Sequence, residues 1–568
     1  MDFANLNLAD NQELAREIIL AASTETFKGR REFEKFRNQI IKKRKGVIFH
    51  NLYFIKAYRD LLVERKIKEN PALLKLIQKR GVRTMSGVAP VTVMTKPWPC
   101  PGRCVYCPTD ARMPKSYLPS QPAAQRAFRQ RFNPYTQVFV RLKALQTTGH
   151  EVSKVELRII GGTWSAYPRR YRKWFVKQCL IAMNEFFEQT KDGKADRMED
   201  LIEEQIVKSV YGEDHVNTVI LKAIDGGKTW DEVVHENETA KVRCIGVNVE
   251  TRPDHINKRE VKWLRELGVT KVEMGVQTTD DEVQELTRRG HTNADVVDAT
   301  RLLKDAGFKI GYHMMPNLPG SSIAKDKKMV GELFSGPDYQ PDYLKIYPCV
   351  VMPRTVLSRW YKNGDYKSYS EKVLEDVLTV EVKDVPEWCR IDRIARDIPA
   401  NEVESGFRVS NVRQILEKRR IEEGPPCRDI RAREIGGGEI NASAVEMIVR
   451  KYKASGGEEL FLSYEDTKND KLIALLRLRF PGATYIHELD GASLIRELHV
   501  YGQQVVVGDK GVGEKQHFGW GTKLTREAEK LSTKNGFKKV VVIAGIGTRE
   551  YYRKLGYSRS GTYMKKAL

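Results

Sequence analysis

Three of the chain's eight cysteines, Cys100, Cys104 and Cys107, fall inside the stretch KPWPCPGRCVYCPTD, residues 96–110. A structural zinc takes four ligands and disulfides take pairs, so three thiols in this spacing suit neither directly. They suit a [4Fe–4S] cluster, because three thiolates leave one iron without a protein ligand. That iron can chelate the amino and carboxylate groups of S-adenosylmethionine, whose sulfonium releases a 5′-deoxyadenosyl radical on reduction. The loop is short enough to bring three sulfurs to one cube, and Pro97, Pro99, Pro101 and Pro108 stiffen it. The alternatives are a zinc completed by a distant fourth ligand, and reduced surface thiols. Cys349, Cys389 and Cys427 are spaced about 40 residues apart. They would need one further ligand to hold a structural zinc, and isolated buried thiols are the other reading.

A second stretch able to hold a cofactor is QHFGWGTKL, residues 516–524, with the pattern Q-x-x-G-x-G. Gly519 and Gly521 let backbone N–H groups turn toward one point at a helix N-terminus, an arrangement that cradles a pyrophosphate. The strand-like LIRELHVYG precedes it and the helix-like TKLTREAEKLSTKNG follows, with KKVVVIAG and TREYYRKLGY beyond. A generic strand-to-helix turn is the alternative. His499, alternating with apolar neighbours, reads as a buried, satisfied histidine before it reads as a base.

These residues need a frame. From residue 81 to about 399, short apolar runs (VTVM, VELRIIGG, CIGVNVET, KVEMGVQT, KIGYHMMPNLPG, YLKIYPCVV) alternate with helical segments. That alternation predicts a parallel α/β sheet or barrel with its chemistry at the C-terminal strand ends. Gly161, Gly162, Thr163, Glu250, Thr251, Arg252, Gln277 and His313 all follow such runs. Residues 188–240 read as an acid-rich helical insertion, 400–438 as a glycine- and proline-marked junction, and 439–568 as a second α/β domain. Residues 1–80 read as helical. Between Lys28 and Lys45 lie nine Lys/Arg and two Glu, with Phe33, Phe36, Ile40 and Ile41 at helical spacing: an amphipathic basic helix.

The formal net charge is +22 and the pI about 9.4, which points to an anionic partner. From Ala111 to His150 there is no Asp or Glu. Arg112, Lys115, Arg126, Arg129, Arg131, Arg141 and Lys143 interleave there with Tyr117, Phe128, Phe132, Tyr135 and Phe139. Cations for phosphates and rings for unstacked bases suggest single-stranded or loop RNA; a helix that buries its rings is the alternative. Apolar runs are too short for a membrane span, the N-terminus lacks a signal peptide's basic region, and cysteines are sparse. The expected location is the cytoplasm.

The C-x3-C-x2-C motif with Tyr106 before its last cysteine resembles that of the radical S-adenosylmethionine superfamily, whose fold is a partial or full (β/α) barrel. By that resemblance Gly161, Gly162 and Thr163 bind the cofactor's methionine amino group, and Glu250, Arg252 and Gln277 line its pocket. The C-terminal order resembles the GNAT acetyltransferase fold, which binds acetyl-CoA. The implied contacts are Glu497, Leu498, His499, Val500, Gln516, Gly519, Trp520, Gly521 and Thr522, with Tyr551 and Tyr552 beside the CoA sulfur. The two together closely resemble the family of Elongator catalytic subunits, through RTMSGVAPVTVMTKP, ENETAKVRCIGVNVETRPD, CRDIRAREIG, ELHVYG and GTREYYRKLGY. The short gap between Cys100 and Cys104 suggests an archaeal or bacterial form.

That resemblance implies an enzyme that converts the wobble uridine of a tRNA to 5-carboxymethyluridine. Acetyl-CoA would supply the carbon, and Lys154 of the radical domain would contact it in a shared active site. A methyl C–H resists ordinary bases, whereas a primary carbon radical can take that hydrogen, and the resulting radical can add to uridine C5. The implied partners are the tRNA anticodon region and either Elongator-like subunits or none. Arg477 and Arg479 are further candidate tRNA contacts. A protein lysine acetyltransferase with a structural cluster is the alternative, although a site for cationic tails should be acidic rather than basic.

Overall fold

The computed structural model describes residues 8–44, 52–77, 87–189, 227–408, 412–423, 427–436, 440–501 and 519–568. Most of the acid-rich stretch expected as a helical insertion lies outside the described residues, as does Gln516.

Seven strands form one wholly parallel sheet in chain order: β1 (Ala89–Met94), β2 (Lys154–Ile160), β3 (Arg243–Thr251), β4 (Val269–Gln277), β5 (Lys309–Met314), β6 (Tyr343–Ile346) and β7 (Arg390–Ile394). Parallel order demands crossovers, and helices supply them. Thr229 and Thr292 each start the next helix with a capping box. β4 is buried along nearly its whole length, as expected of a strand covered on both faces. The result is the expected partial barrel, with one large core under its helices.

The second sheet runs β8 (Val445–Ala454), β9 (Gly457–Asp466), β10 (Lys471–Phe480), β11 (Ala492–Val500), β12 (Lys539–Val542), β14 (Tyr563–Ala567) and β13 (Ser558–Ser560). It is antiparallel except where β11 meets β12, the pair bridged by the helix Trp520–Lys534.

Four N-terminal helices, α1 (Leu8–Ala22), α2 (Arg30–Lys43), α3 (Leu52–Val63) and α4 (Pro71–Ile77), have a core of their own. Phe33 and Ile41 of α2 are buried in it, with Phe36 and Ile40 packed beside them. The apolar stripe therefore faces inward and the lysines and arginines outward.

The second sheet docks on the N-terminal ends of the barrel strands. Gly545 and Gly547 permit this approach: a Cβ at Gly545 would stand 2.0 Å from the Ile245 carbonyl oxygen, and one at Gly547 would stand 2.5 Å from the Arg243 Cβ. Buried charge also crosses the seam. Arg496 forks Asp342 at 2.6 and 2.8 Å, Arg477, which donates to Glu497 of its own sheet at 2.8 Å, reaches Asp342 at 3.5 Å, and Arg479 donates to Asp305 at 2.6 Å. Arg477 and Arg479 are thus fully buried interdomain ties and cannot be the tRNA contacts expected of them.

Candidate active sites at the two ends of the barrel

The cysteine loop leaves the C-terminal end of β1 and crosses the ends of β2 to β4. Among the described residues, the triad of His, Cys, Asp or Glu ligand atoms all within 4.8 Å of one another is Glu250, Glu273 and His313. The three cysteine sulfurs are therefore not gathered that closely.

The loop's electrostatics suit thiolates. Burial raises the Cys104 thiol, but Arg289, 3.4 Å from the sulfur, and then Arg252 outweigh it, so the net shift is downward. Cys107 is pushed up to about 12 by burial and then by the neighbouring Cys104, a penalty that bound iron would relieve. Arg289 was not foreseen from the sequence. It follows β4 by a dozen residues without a motif, and only the turn Leu286–Gly290 brings it back under the loop.

Around the cysteines stand donors and acceptors without protein partners. Arg252 grips Asp254 with two nitrogens at 2.9 Å, while its buried Nη1 has no partner. Gln277 ends β4 with φ 78°, and its buried Oε1 is likewise unpaired. Thr163 Oγ1 lies 3.7 Å from Cys100 Sγ. An unpaired cationic donor and an unpaired amide acceptor fit the carboxylate and ammonium of a bound amino acid such as the methionine moiety. Gly161 has φ 129°, and a Cβ there would stand 2.1 Å from Thr95 Oγ1 and 3.1 Å from its backbone nitrogen. Gly161→Ala is expected to cost about 1–3 kcal/mol of backbone strain and to displace Thr163. Isothermal titration with S-adenosylmethionine should show a correspondingly weakened complex.

Below the cysteines the barrel interior is a column of ion pairs. Tyr117 donates to Glu250 at 2.8 Å, and Lys345 bridges Glu250, at 3.2 Å, and Glu273. His313 Nε2 lies 3.0 Å from Glu273, and the Lys345 ammonium bridges the two carboxylates of this triad. Lys271 then links Glu273, at 3.3 Å, to Asp392, at 2.7 Å. Glu250 thus belongs to the floor of the cysteine site.

At the base of the barrel lies a cavity of about 310 Å³ between the two sheets, lined by Glu156, Arg158 and Lys271 on one side and by Glu497, Leu498, His499 and Tyr552 on the other. Tyr343 donates to Glu497, and the Lys271 ammonium lies 3.6 Å from the Tyr343 ring centroid. His499 is half-buried rather than fully buried, and it is not satisfied: its Nε2 has no partner, and desolvation lowers its pKa. Gly519 caps the helix Trp520–Lys534 with φ 105°. A Cβ at Gly521 would stand 2.8 Å from the Tyr551 hydroxyl and 3.6 Å from both Leu498 and Val500. Thr522 follows in that first turn and bonds Tyr551. Tyr551 is 37% exposed, whereas Tyr552 is buried in the domain core and lines the cavity. Lys154 starts β2 on the face shared by Glu156 and Arg158, at the same end of the barrel; burial and then Arg243 lower its pKa.

The two sets of residues stand at opposite ends of one barrel, with the ionic column between.

A tRNA uridine(34) acetyltransferase of Methanocaldococcus infernus is 40% identical over 88% of this chain and 89% of its own length. This chain belongs to that enzyme family. Elongator complex protein 3 of Homo sapiens is 38% identical over 90% of this chain and 89% of its own length. The model of the Radical SAM superfamily matches residues 236–330, strands β3 to β5, and that of the Radical SAM C-terminal domain matches residues 341–422. The solved structure of the archaeal Methanocaldococcus infernus Elp3 with an N-terminal deletion superposes with a TM-score of 0.69 at 38% identity, covering 85% of this chain and 100% of that one. Family membership implies a [4Fe–4S] cluster and S-adenosylmethionine, which the cysteine loop fits.

Other expectations fare differently. Cys349 is buried in a small cluster with Leu318 and Leu357, while Cys389 and Cys427 lie in the main barrel core. All three are buried, and among the described residues no ligand triad forms around any of them. In the acid-free tract, Tyr135 and Phe139 stack on each other inside the core, and Tyr117 faces the column. Phe128 alone among the five rings is largely exposed, at 48%. No described helix is long and apolar enough to cross a membrane.

Proposed function

We propose that the chain converts the wobble uridine of tRNA to 5-carboxymethyluridine. Acetyl-CoA, S-adenosylmethionine and water would be consumed, and CoA, methionine and 5′-deoxyadenosine released. The observation that carries this reading is the cavity at the barrel base, where Glu497, His499 and Tyr552 of the second domain open onto the interior of the barrel that bears the three cysteines at its far end.

Cys100, Cys104 and Cys107 would hold the cluster, with Arg289 and Arg252 favouring the Cys104 thiolate. When bound there, the cluster and S-adenosylmethionine supply a primary carbon radical able to take a methyl hydrogen. Thr163, the free Arg252 Nη1 and Gln277 Oε1 orient the methionine moiety, and Gly161 and Gly162 let the backbone close on it. At the other end, backbone N–H groups from Gly519 through Thr522 would receive the CoA pyrophosphate, with Gln516 as a further contact. Leu498 and Val500 line the pantetheine path, and Tyr551 and Tyr552 flank the sulfur. Lys154 stands at the open barrel end as a cationic contact for acetyl-CoA.

Residues 81–399 would be the radical unit and 439–568 the acetyl-CoA unit, joined by 400–438. Residues 1–80 would hold tRNA through the outward basic face of α2. The archaeal and bacterial relatives favour a form working in the cytoplasm without Elongator-like subunits.

Anaerobic incubation of the cluster-loaded protein with tRNA, acetyl-CoA and reductant, with and without S-adenosylmethionine, should yield carboxymethyluridine only in the complete mixture. Nucleoside mass spectrometry reads the product, and its absence from the complete mixture would overturn the proposal.

A further inference from the structure

Trp98 lies in the segment joining β1 to Cys100 and is 38% exposed, flanked by Pro97 and Pro99. Solvent ordinarily meets a lone surface tryptophan lying flat on whatever it can cover. This one is the top rung of a ladder. Its ring stacks on Tyr167 (centroids 5.9 Å, interplanar 30°), Tyr167 stacks on Tyr171 (5.3 Å, 22°), and Tyr171 leans on Trp174 (5.5 Å).

The lower rungs are fastened to the backbone that positions the cysteine site. The Tyr167 hydroxyl lies 2.8 Å from the Lys96 carbonyl oxygen and 3.0 Å from that of Gly161, and the Lys96 N–H donates to the Tyr171 hydroxyl at 3.1 Å. The ladder is thus rigid, and its top sits two residues from the first cysteine.

The surroundings are cationic. The Lys96 ammonium lies 5.9 Å from the Trp98 ring centroid and 5.4 Å from that of Tyr171. Lys96, Arg103 and Arg170 are exposed, and neither 95–109 nor 158–184 contains an Asp or Glu. A fixed aromatic face with positive charge beside it stacks an unpaired base and holds its phosphate.

We propose that Trp98 is the stacking platform for an unpaired nucleobase of the substrate RNA, beside the nucleotide presented to the cysteine site, with Lys96 on the adjoining phosphate. This rests on the RNA reading above. It also replaces the rings of the tract 111–150, of which Tyr135 and Phe139 are core. The platform positions the substrate and is not a catalytic group.

The test compares the full, cluster-loaded chain with its Trp98→Ala and Trp98→Phe variants for binding to an anticodon stem-loop RNA and to a blunt duplex. Trp98→Ala is expected to weaken stem-loop binding about tenfold, to change duplex binding less than twofold, and Trp98→Phe to recover most of the loss. A 2-aminopurine in the loop should be quenched by the wild-type and Trp98→Phe chains and not by Trp98→Ala. Equal stem-loop affinity in all three chains, equal loss on the duplex, or unchanged quenching with Trp98→Ala would each overturn the platform. Wild-type protein that binds no RNA would instead overturn the function it rests on. Iron content of the three chains controls for the cysteine loop, and the quenching comparison with Trp98→Phe decides the matter if Trp98→Ala alone loses iron.

Discussion

Asp342→Ala is expected to cost the folded chain about 3–5 kcal/mol, the range for removing one partner of a buried ion pair. Asp342 is fully buried at the start of β6. Its two oxygens accept from Arg496 at 2.6 and 2.8 Å and from the Ile310 N–H at 2.8 Å, with Arg477 at 3.5 Å and Lys304 at 3.6 Å. Alanine would leave three buried cations facing Glu459 and Glu497 alone. Asp342→Asn keeps an acceptor for Ile310 and should cost less. Urea unfolding reads both losses, and an unchanged midpoint for Asp342→Ala would show that the domains are held by other contacts.

The same network gives a pH dependence. Burial alone would raise the Asp342 carboxyl, but Arg496 and then Lys304 and Arg477 hold it well below its usual range; Glu497 is brought to about 2, with Lys309 and Arg477 outweighing its burial. A carboxyl depressed on folding stabilises fully above its unfolded value, near 4, and loses that contribution as pH falls through the folded value. Stability should therefore drop between about pH 4 and pH 2, and Asp342→Asn should flatten the drop.

Cys104→Ala is expected to abolish cluster loading and S-adenosylmethionine cleavage. With two protein thiolates left, two irons of the cube would lack ligands, and Arg289 would lie buried without the sulfur it faces at 3.4 Å. The readouts are iron content and the visible charge-transfer band of the anaerobically reconstituted protein. A Cys104→Ala chain carrying full iron would sink the ligand assignment. Arg289→Met separates electrostatics from ligation: it removes the charge that stabilises the thiolate, so cluster loading should become markedly slower and more pH-dependent while all three ligands remain.

Chemistry written as short local strings was readable directly. C-x3-C-x2-C puts three thiols on one short loop, and a glycine pair before a helix frees the backbone to turn there, because loop geometry over a few residues depends on local sterics. Strand and helix periodicity likewise announced a parallel barrel and a second sheet. Burial and direction were not readable. Arg477 and Arg479 look like surface cations in the sequence, yet both are sealed between domains by acids 20 to 174 residues away. Tyr135 and Phe139 look like base-stacking rings and are core, whereas Trp98, which belongs to no motif, projects from a ladder begun by Tyr167.

The amino-acid sequence thus pointed to the radical S-adenosylmethionine family and to the order of its elements, since both reside in contiguous residues. Only the tertiary structure decided that the two sites occupy opposite ends of one barrel and which rings and charges face water. Those outcomes depend on how the second domain docks, through glycines at 545 and 547 and through buried ion pairs whose partners no local pattern can match.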